Sequence, residues 1–448
     1  MRAPDRRSAC PPLPRTRARR TKLHVAILAA AALAGSAHAG KLDYRFELET
    51  LHSDNINQSE DNQAKETVLV PRVKFNFKEE GASVELQARG ELERRHYFGS
   101  RFDDESRSEF AGQLNWSLLP QRLNLVAEDY LSEEPINFRG GRYPGNLQRV
   151  NVFLGGPSFF ARLGDATRFQ LDLRGVRTHA EVAPDFDGKR RSAAASLQRD
   201  LSPTSKASLN VVSTKAEFDD ATTAVDYTRN DGFVRYEGRL RKIQYELDLG
   251  HSRLNRDVGQ DPTTTIARAT VQWEPNTRSR VRFRARHQFA DQVQDLVVRL
   301  RDPDESLVPD LVDSSSSLVS SGVYRQRDVE LDYRYRGERF GFRVRPLYRE
   351  LRYIDRTDAD RTERGAFFQV DYRPRPLVTV FLTGSLRNRE FLARNEEDRD
   401  RVYSLGITYQ MTQHWGWSAE AIRNERKSNI PDPEYTENAV FLTLWWQR

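Results

Sequence analysis

"SRVRFRARHQF", residues 279–289, decides the fold. Every second residue from Arg280 gives Arg280, Arg282, Arg284 and Arg286. The positions between them are Val281, Phe283, Ala285, His287 and Phe289. A strand points successive side chains to opposite faces. One face here is four guanidiniums, and the other is mostly apolar. A soluble sheet would need a second apolar layer over the apolar face.

The rest of the chain offers no such layer, because the same pattern recurs. "KLDYRFELET" sets Leu42, Tyr44, Phe46 and Leu48 against Lys41, Asp43, Arg45, Glu47 and Glu49. Phe110/Leu114/Trp116/Leu118, Ile243/Tyr245/Leu247/Leu249, Val329/Leu331/Tyr333/Tyr335 and Val378/Val380/Leu382/Leu386 repeat it, as do Tyr403/Leu405/Ile407/Tyr409 and Val440/Leu442/Leu444/Trp446. Each segment runs about 10–14 residues, long for a globular strand and right for a tilted membrane-spanning one.

Connections alternate short and long. Lys78–Ala82, Leu201–Thr204, Arg336–Arg339 and Arg373–Pro376 are short, whereas His52–Glu66, Ser132–Leu147 and Ala290–Gly322 are long. Short turns at one end and long loops at the other are the rhythm of an outer-membrane barrel. The expected fold is all-β: a transmembrane antiparallel up-and-down barrel of about 20 strands, within 18–22. Gly155–Thr167 reads either as one bent strand or as a broken turn.

Six tryptophans test this: Trp116, Trp273, Trp415, Trp417, Trp445 and Trp446. All lie beside a short turn or at the C-terminus, joined by Tyr335, Phe340, Tyr372 and Tyr409. Indole and phenol rings favour the membrane–water boundary, so they are expected to form an aromatic girdle at the short-turn end.

The chain has 448 residues, 30% of them charged, and a mean hydropathy of −0.74. After the first forty residues, no run approaches the roughly 18 apolar residues of a membrane helix. With aromatics at 10%, it is too patterned to read as disordered.

Residues 1–39 read as a secretory signal peptide, and 40–448 as the barrel. A basic stretch with Arg2, Arg6, Arg7, Arg15, Arg17, Arg19, Arg20 and Lys22 precedes the apolar run Val25–Ala34 and the Ala37-His38-Ala39 cleavage pattern. Arg19-Arg20 weakly resembles a twin-arginine signal, but the general secretory route is the better reading. Eight of the 71 basic and one of the 65 acidic residues lie in 1–39, which leaves 63 and 64. The mature chain is near neutral, so the pI of 9.3 is no argument for nucleic acid. Cys10 is the only cysteine and leaves with the signal, so the mature chain can form no disulfide or cysteine metal site.

With the apolar faces on lipid, parity assigns the lumen. The candidate lining residues are Arg280, Arg282, Arg284 and Arg286, then Asp328, Glu330 and Asp332, then Arg343, Arg345 and Arg349. Basic and acidic ladders alternate on neighbouring strands. They either pair with one another and stiffen the wall, or form a charged track for a sugar or polyanion. The inner face near 377–424 is milder, with Thr379, Thr383, Ser385, Ser404, Thr408, Ser418 and Asn424. Loop 290–322 either folds inward as a constriction or forms a hairpin outside.

Nothing reads as an enzyme. No histidine pair has metal-ligand spacing, no G-x-S-x-G elbow occurs, and "GGRYPG" at 140–145 lacks the lysine of a phosphate loop. The acids of "DYLSEEP" resemble a glycosidase pair only in composition. No catalytic, cofactor-binding or metal residue is expected.

"AEDYLSEEPIN" (127–137), "NLQRVNVFLGGPSF" (146–159) and "LQRDLSPTSKASL" (197–209) resemble the outer-membrane β-barrel porins associated with exopolysaccharide and PEP-CTERM/exosortase loci of Gram-negative bacteria. The resemblance implies a barrel tied to export or passage of a polysaccharide, and gives no site residues. The expected function is an outer-membrane pore supporting exopolysaccharide export or saccharide passage. The alternatives are a general porin for small polar solutes and a closed structural or adhesive barrel. The implied partners are outer-membrane lipid, the barrel-assembly machinery, polysaccharide and periplasmic export components.

Overall fold

The computed structural model describes residues 40–220, 222–301, 318–430 and 434–448. The signal-peptide reading of 1–39 lies outside the described residues.

From Lys41 onward the described chain is almost all strand. The elements are β1 (Lys41–Ser53), β2 (Glu66–Glu80), β3 (Val84–Tyr97), β4 (Glu105–Leu119) and β5 (Leu123–Pro135). Next come β6 (Leu147–Arg162), β7 (Thr167–Ala180), β8 (Gly188–Ser202), β9 (Ser205–Phe218) and β10 (Tyr227–Arg239). They continue with β11 (Ile243–Arg256), β12 (Thr263–Asn276), β13 (Ser279–Asp291), β14 (Val323–Arg336) and β15 (Phe340–Tyr353). The last are β16 (Arg361–Arg375), β17 (Val378–Phe391), β18 (Glu396–Gln410), β19 (Trp415–Ser428) and β20 (Tyr435–Gln447). Among the described residues between β13 and β14 lies the helix α1 (Gln292–Arg301).

Each strand pairs antiparallel with the next, and β1 pairs with β20 from Arg45↔Gln447 to Ser53↔Ala439. The result is a closed barrel of 20 strands, inside the range read from the alternation. Closure satisfies every ladder group and leaves no edge. Strands of 13 to 16 residues exceed the roughly 9–11 needed to cross a bilayer, so each projects beyond the apolar band.

Burial is inverted relative to a soluble protein. Leu249, Leu405 and Leu442 are exposed, whereas Glu49, Asp328, Arg343 and Asp398 are buried. Soluble interiors almost never hold unpaired charges, and an exposed apolar surface this continuous marks contact with another apolar phase. The alternation fixes this register, since a slip of one residue would turn every charge outward.

Gly155–Thr167 resolves as one continuous strand, β6, followed by the turn 163–166. At Gly156 φ is +152°, and a Cβ there would lie 2.0 Å from the Leu173 carbonyl oxygen. Only glycine lets β6 bend at that point without losing its neighbour β7.

The nine turns between β2 and β3, β4 and β5, and so on to β18 and β19 all lie at the end where β1 begins and β20 ends. The other ten connections, longer except for 392–395, lie at the opposite end.

Candidate functional site: a charged lumen with a resident helix

All ten lumen candidates lie on the inward face, alternating with the outward Val281/Phe283, Val329/Leu331 and Val344/Tyr348 positions. Register sets Arg282 opposite Asp332, Arg284 opposite Glu330 and Arg286 opposite Asp328. The Arg286 guanidinium donates to Asp328 at 3.0 Å, and Arg284 lies 3.8 Å from Glu330. Asp332 accepts from Arg343 at 2.9 Å. Arg280, nearer the short-turn mouth, reaches Glu274 at 3.4 Å. Arg345 lies over the Phe367 ring at 5.7 Å. Arg349 shares a cavity with Asp295 and Glu363. Much of the ladder is therefore tied up within the wall.

Trp445 corrects the girdle expectation. Trp116, Trp273 and Trp415 are well exposed on the outward face, and Trp417 and Trp446 share that face. Trp445 is 3% exposed and points inward, with the Arg45 guanidinium 4.1 Å from its ring centroid. It follows Leu444, an outward residue, so parity alone directs it into the lumen.

The loop after β13 folds inward, which settles the two readings of 290–322 for the described residues. Helix α1 begins directly after β13 and crosses the bore to β5. Val293 and Leu296 pack with Tyr130, Val150, Val152 and Phe186, an apolar patch on the inner face of β5 and β6 and the neighbouring loop. Arg299 bonds to Glu134, and Arg301 to Glu128 at 2.5 Å. Burial disfavours charge on Arg301, but its bonds to Tyr130 and Glu128 outweigh that and raise its pKa. At the near side the Tyr324 hydroxyl donates to Asp295 at 2.5 Å. One acid of "DYLSEEP", Glu134, is thus a helix anchor, and Glu128 just before that stretch is the other.

A second segment, 136–146 between β5 and β6, reaches the opposite wall. Phe138 packs against Phe391, Leu351 and Tyr353. Arg139 bonds Glu396 at 3.2 Å, and Arg389 donates to the Phe138 carbonyl at 3.4 Å. The wall there is strongly charged: Arg389 meets Asp400 at 2.9 Å and Asp398 at 3.7 Å. The mild reading of 377–424 therefore holds only toward the short turns, where Thr383 and Ser404 share a hydrogen bond of 2.7 Å.

Space remains on both sides of these obstructions. A cavity of about 500 Å³ lies along β1–β5, β19 and β20. Seven carboxylates line it (Glu49, Glu91, Glu93, Glu109, Glu133, Glu420 and Glu437), against five cations (Arg72, Lys74, Arg95, Arg107 and Arg142). Arg72 is its centre, within 3.3 Å of Glu47, Glu49, Glu91 and Glu93. Beside α1, a smaller cavity of about 90 Å³ has the opposite balance, six arginines to three carboxylates. The bore therefore has an acidic flank and a basic one.

Sequence reasoning missed three features of this site. The Arg72 cluster was legible in principle, as an arginine at an inward position flanked across β1 and β3 by inward glutamates. The helix was legible too: Asp291 stands at its N-cap and accepts from the Gln294 backbone N–H at 3.0 Å, with Arg299 and Arg301 in the last turn and Pro303 two residues on in the sequence. The crossing of 136–146 depends on contacts remote in sequence.

No known family matches the chain, and no curated protein matches it. Among solved structures, the ferric enterobactin receptor of Pseudomonas aeruginosa superposes with a TM-score of 0.49 at 8% identity, covering 92% of this chain and 81% of that one. OccK2 (OpdF) of Pseudomonas aeruginosa, solved with glucuronate, gives 0.39 at 11% identity over 91% and 98%. OccAB4 of Acinetobacter baumannii gives 0.37 at 8% identity over 91% and 98%. The chain is similar to these barrels at a level that carries no argument about what passes through it.

Proposed function

We propose that the chain is an outer-membrane channel for small polar solutes, its bore narrowed by α1 and segment 136–146. One observation carries this: a closed barrel with an apolar exterior holds a water-compatible cavity of about 500 Å³, lined by charge and bordered by Arg142 and Pro144 of segment 136–146. Opposed acidic and basic flanks suit a small polar or zwitterionic solute and give weak net ion selectivity. Export of a polysaccharide chain, the function the family resemblance implies, would require both obstructions to leave the bore. No family match supports that version. The closed structural barrel is the second reading, favoured by the ion pairs that lock α1.

Conductance of the refolded protein in a planar bilayer separates them. The expected result is a small, steady conductance that neutral polymers wider than the cavity do not block from inside. No conductance, from protein with heat-modifiable barrel mobility, would overturn the channel and leave the closed barrel.

A further inference from the structure

The exterior at the loop end carries charge that the channel does not use. On β7–β9, Arg177 lies directly opposite Lys189, and Arg191 directly opposite Lys215. All four are exposed on the outward face. Facing pairs in an antiparallel ladder bring Cβ atoms to about 4.5–5.5 Å, and like charges so placed repel. Arg177 is relieved by Asp219 at 2.6 Å, and Lys215 by Glu217 at 2.7 Å. Lys189 faces Glu217 in the ladder, but that carboxylate is engaged by Lys215. Among the described residues Lys189 and Arg191 have no ion-pair partner.

The placement is not scattered. Directly toward the membrane on the same strands come Leu173, Leu197, Leu209 and Val211, all exposed. Facing cations recur on the outward face at the loop end as Arg325 opposite Arg352 and Arg399 opposite Lys427. Three of these four are ion-paired: Arg352 with Glu350 at 2.8 Å, Arg399 with Glu397 at 2.9 Å and Lys427 with Glu425 at 3.3 Å. The densest uncompensated charge is therefore on β7–β9. The short-turn end instead carries the exposed tryptophans Trp116, Trp273 and Trp415.

We infer that Lys189 and Arg191, flanked by Arg177 and Lys215, bind the phosphate groups of a phosphorylated glycolipid of the outer leaflet. Its acyl chains lie against Leu173, Leu197 and Val211. Cations stacked over an apolar wall match an amphiphile with an anionic head and hydrocarbon tails. A phosphate oxyanion relieves the repulsion of the facing cations and takes the planar fork of Arg191 in two hydrogen bonds. The inference rests on the outer-membrane reading, which puts the loop end in the outer leaflet.

The test is native mass spectrometry of the refolded barrel in neutral detergent, titrated with an acylated glucosamine disaccharide bisphosphate and with its dephosphorylated form. The bisphosphate lipid is expected to stay bound and the dephosphorylated one to dissociate. Lys189→Gln with Arg191→Gln should weaken binding about thirtyfold, from roughly 1 kcal/mol per cation near a charged headgroup. Lys78→Gln with Lys242→Gln, at the short-turn end, should leave binding unchanged. Equal retention of the two lipids, or of the bisphosphate by wild type and by the Lys189/Arg191 variant, overturns the site. The lipid comparison on wild type needs no variant to fold. Displacement of the lipid by millimolar inorganic phosphate alone would show a free-anion site and overturn the lipid assignment. Incorporation into neutral vesicles reports separately on the outer-membrane reading, and its failure would remove that reading rather than this site alone.

Discussion

The guanidinium of Arg301, in the last turn of α1, donates to the carboxylate of Glu128 on β5 at 2.5 Å, across 173 residues of sequence. With Arg299 on Glu134, it pins the far end of the helix to the wall opposite the strand it grows from. The contacts under the helix are apolar: Leu296 is 1% exposed, in one buried cluster with Val150 and Val152. The far end is thus held by these charge-assisted bonds, by Arg89 donating to the Leu300 carbonyl and by a small hydrophobic footing.

Releasing those bonds should widen the channel. Hydrogen bonds to charged groups are each worth about 1.5–3 kcal/mol. Arg299→Gln with Arg301→Gln should raise the single-channel conductance severalfold and add open-channel noise, with unchanged heat-modifiable mobility. Equal conductance in wild type and variant would mean that α1 does not limit the current.

The lipid face can be checked by a single charge. Leu405, near the middle of β18, is 58% exposed on the outward face. Leu405→Arg should cost about 2–4 kcal/mol of stability in a bilayer, the depth-dependent price of a guanidinium at the midplane. Thr408→Arg, one inward position on the same strand, should cost far less. Urea-driven unfolding from vesicles measures both, and equal losses would contradict the assigned facing.

Gly416 and Trp445 probe the correction to the girdle. The two are paired in register, and a Cβ on Gly416 would fall 2.3 Å from Trp445 Cζ2. Gly416→Ala should therefore cost about 1–3 kcal/mol through overpacking. The double change with Trp445→Leu should recover most of it. A Gly416→Ala barrel as stable as wild type would place the indole elsewhere.

Loop 181–187 should respond to acid in one direction. The Glu181 carboxyl is held below its ordinary pKa by hydrogen bonds from the Arg149 guanidinium, at 3.2 Å and 3.3 Å, against a smaller opposing effect of burial. A lowered folded pKa means a contribution to stability that is present above the unfolded value and lost as pH falls through the folded one. Hydrogen-exchange protection of 181–187 should be flat from pH 7 to about 5 and fall below about 4. Glu181→Gln should remove that step. An unchanged step in the variant would assign it to another acid.

Most of the wall was legible because each strand reports its own orientation. The ten lumen candidates lie inward, since alternation along "SRVRFRARHQF" and "VELDYRYR" has a period of two and admits one register. Trp445 was misplaced where that same rule was not applied, since grouping tryptophans by position along the chain ignores the face each one takes. The bore was less legible. Whether loop 290–322 enters depends on Arg299 and Arg301 meeting Glu134 and Glu128, partners about 170 residues away. Neither member of such a pair carries a local mark of the other.

By itself the sequence determined the barrel: the alternation of charge and hydrocarbon, the short and long connections, and the sorting of tryptophan toward one end. These are local properties, written into the two-residue period of a strand and the chemistry of its ends. Only the tertiary structure decided that the barrel is occupied, by a helix from β13 seated on β5 and by segment 136–146 spanning to β17 and β18. The physical reason is that lumen contacts form across the bore between residues far apart in the chain. Closure of the twenty-strand ladder is what sets their distance.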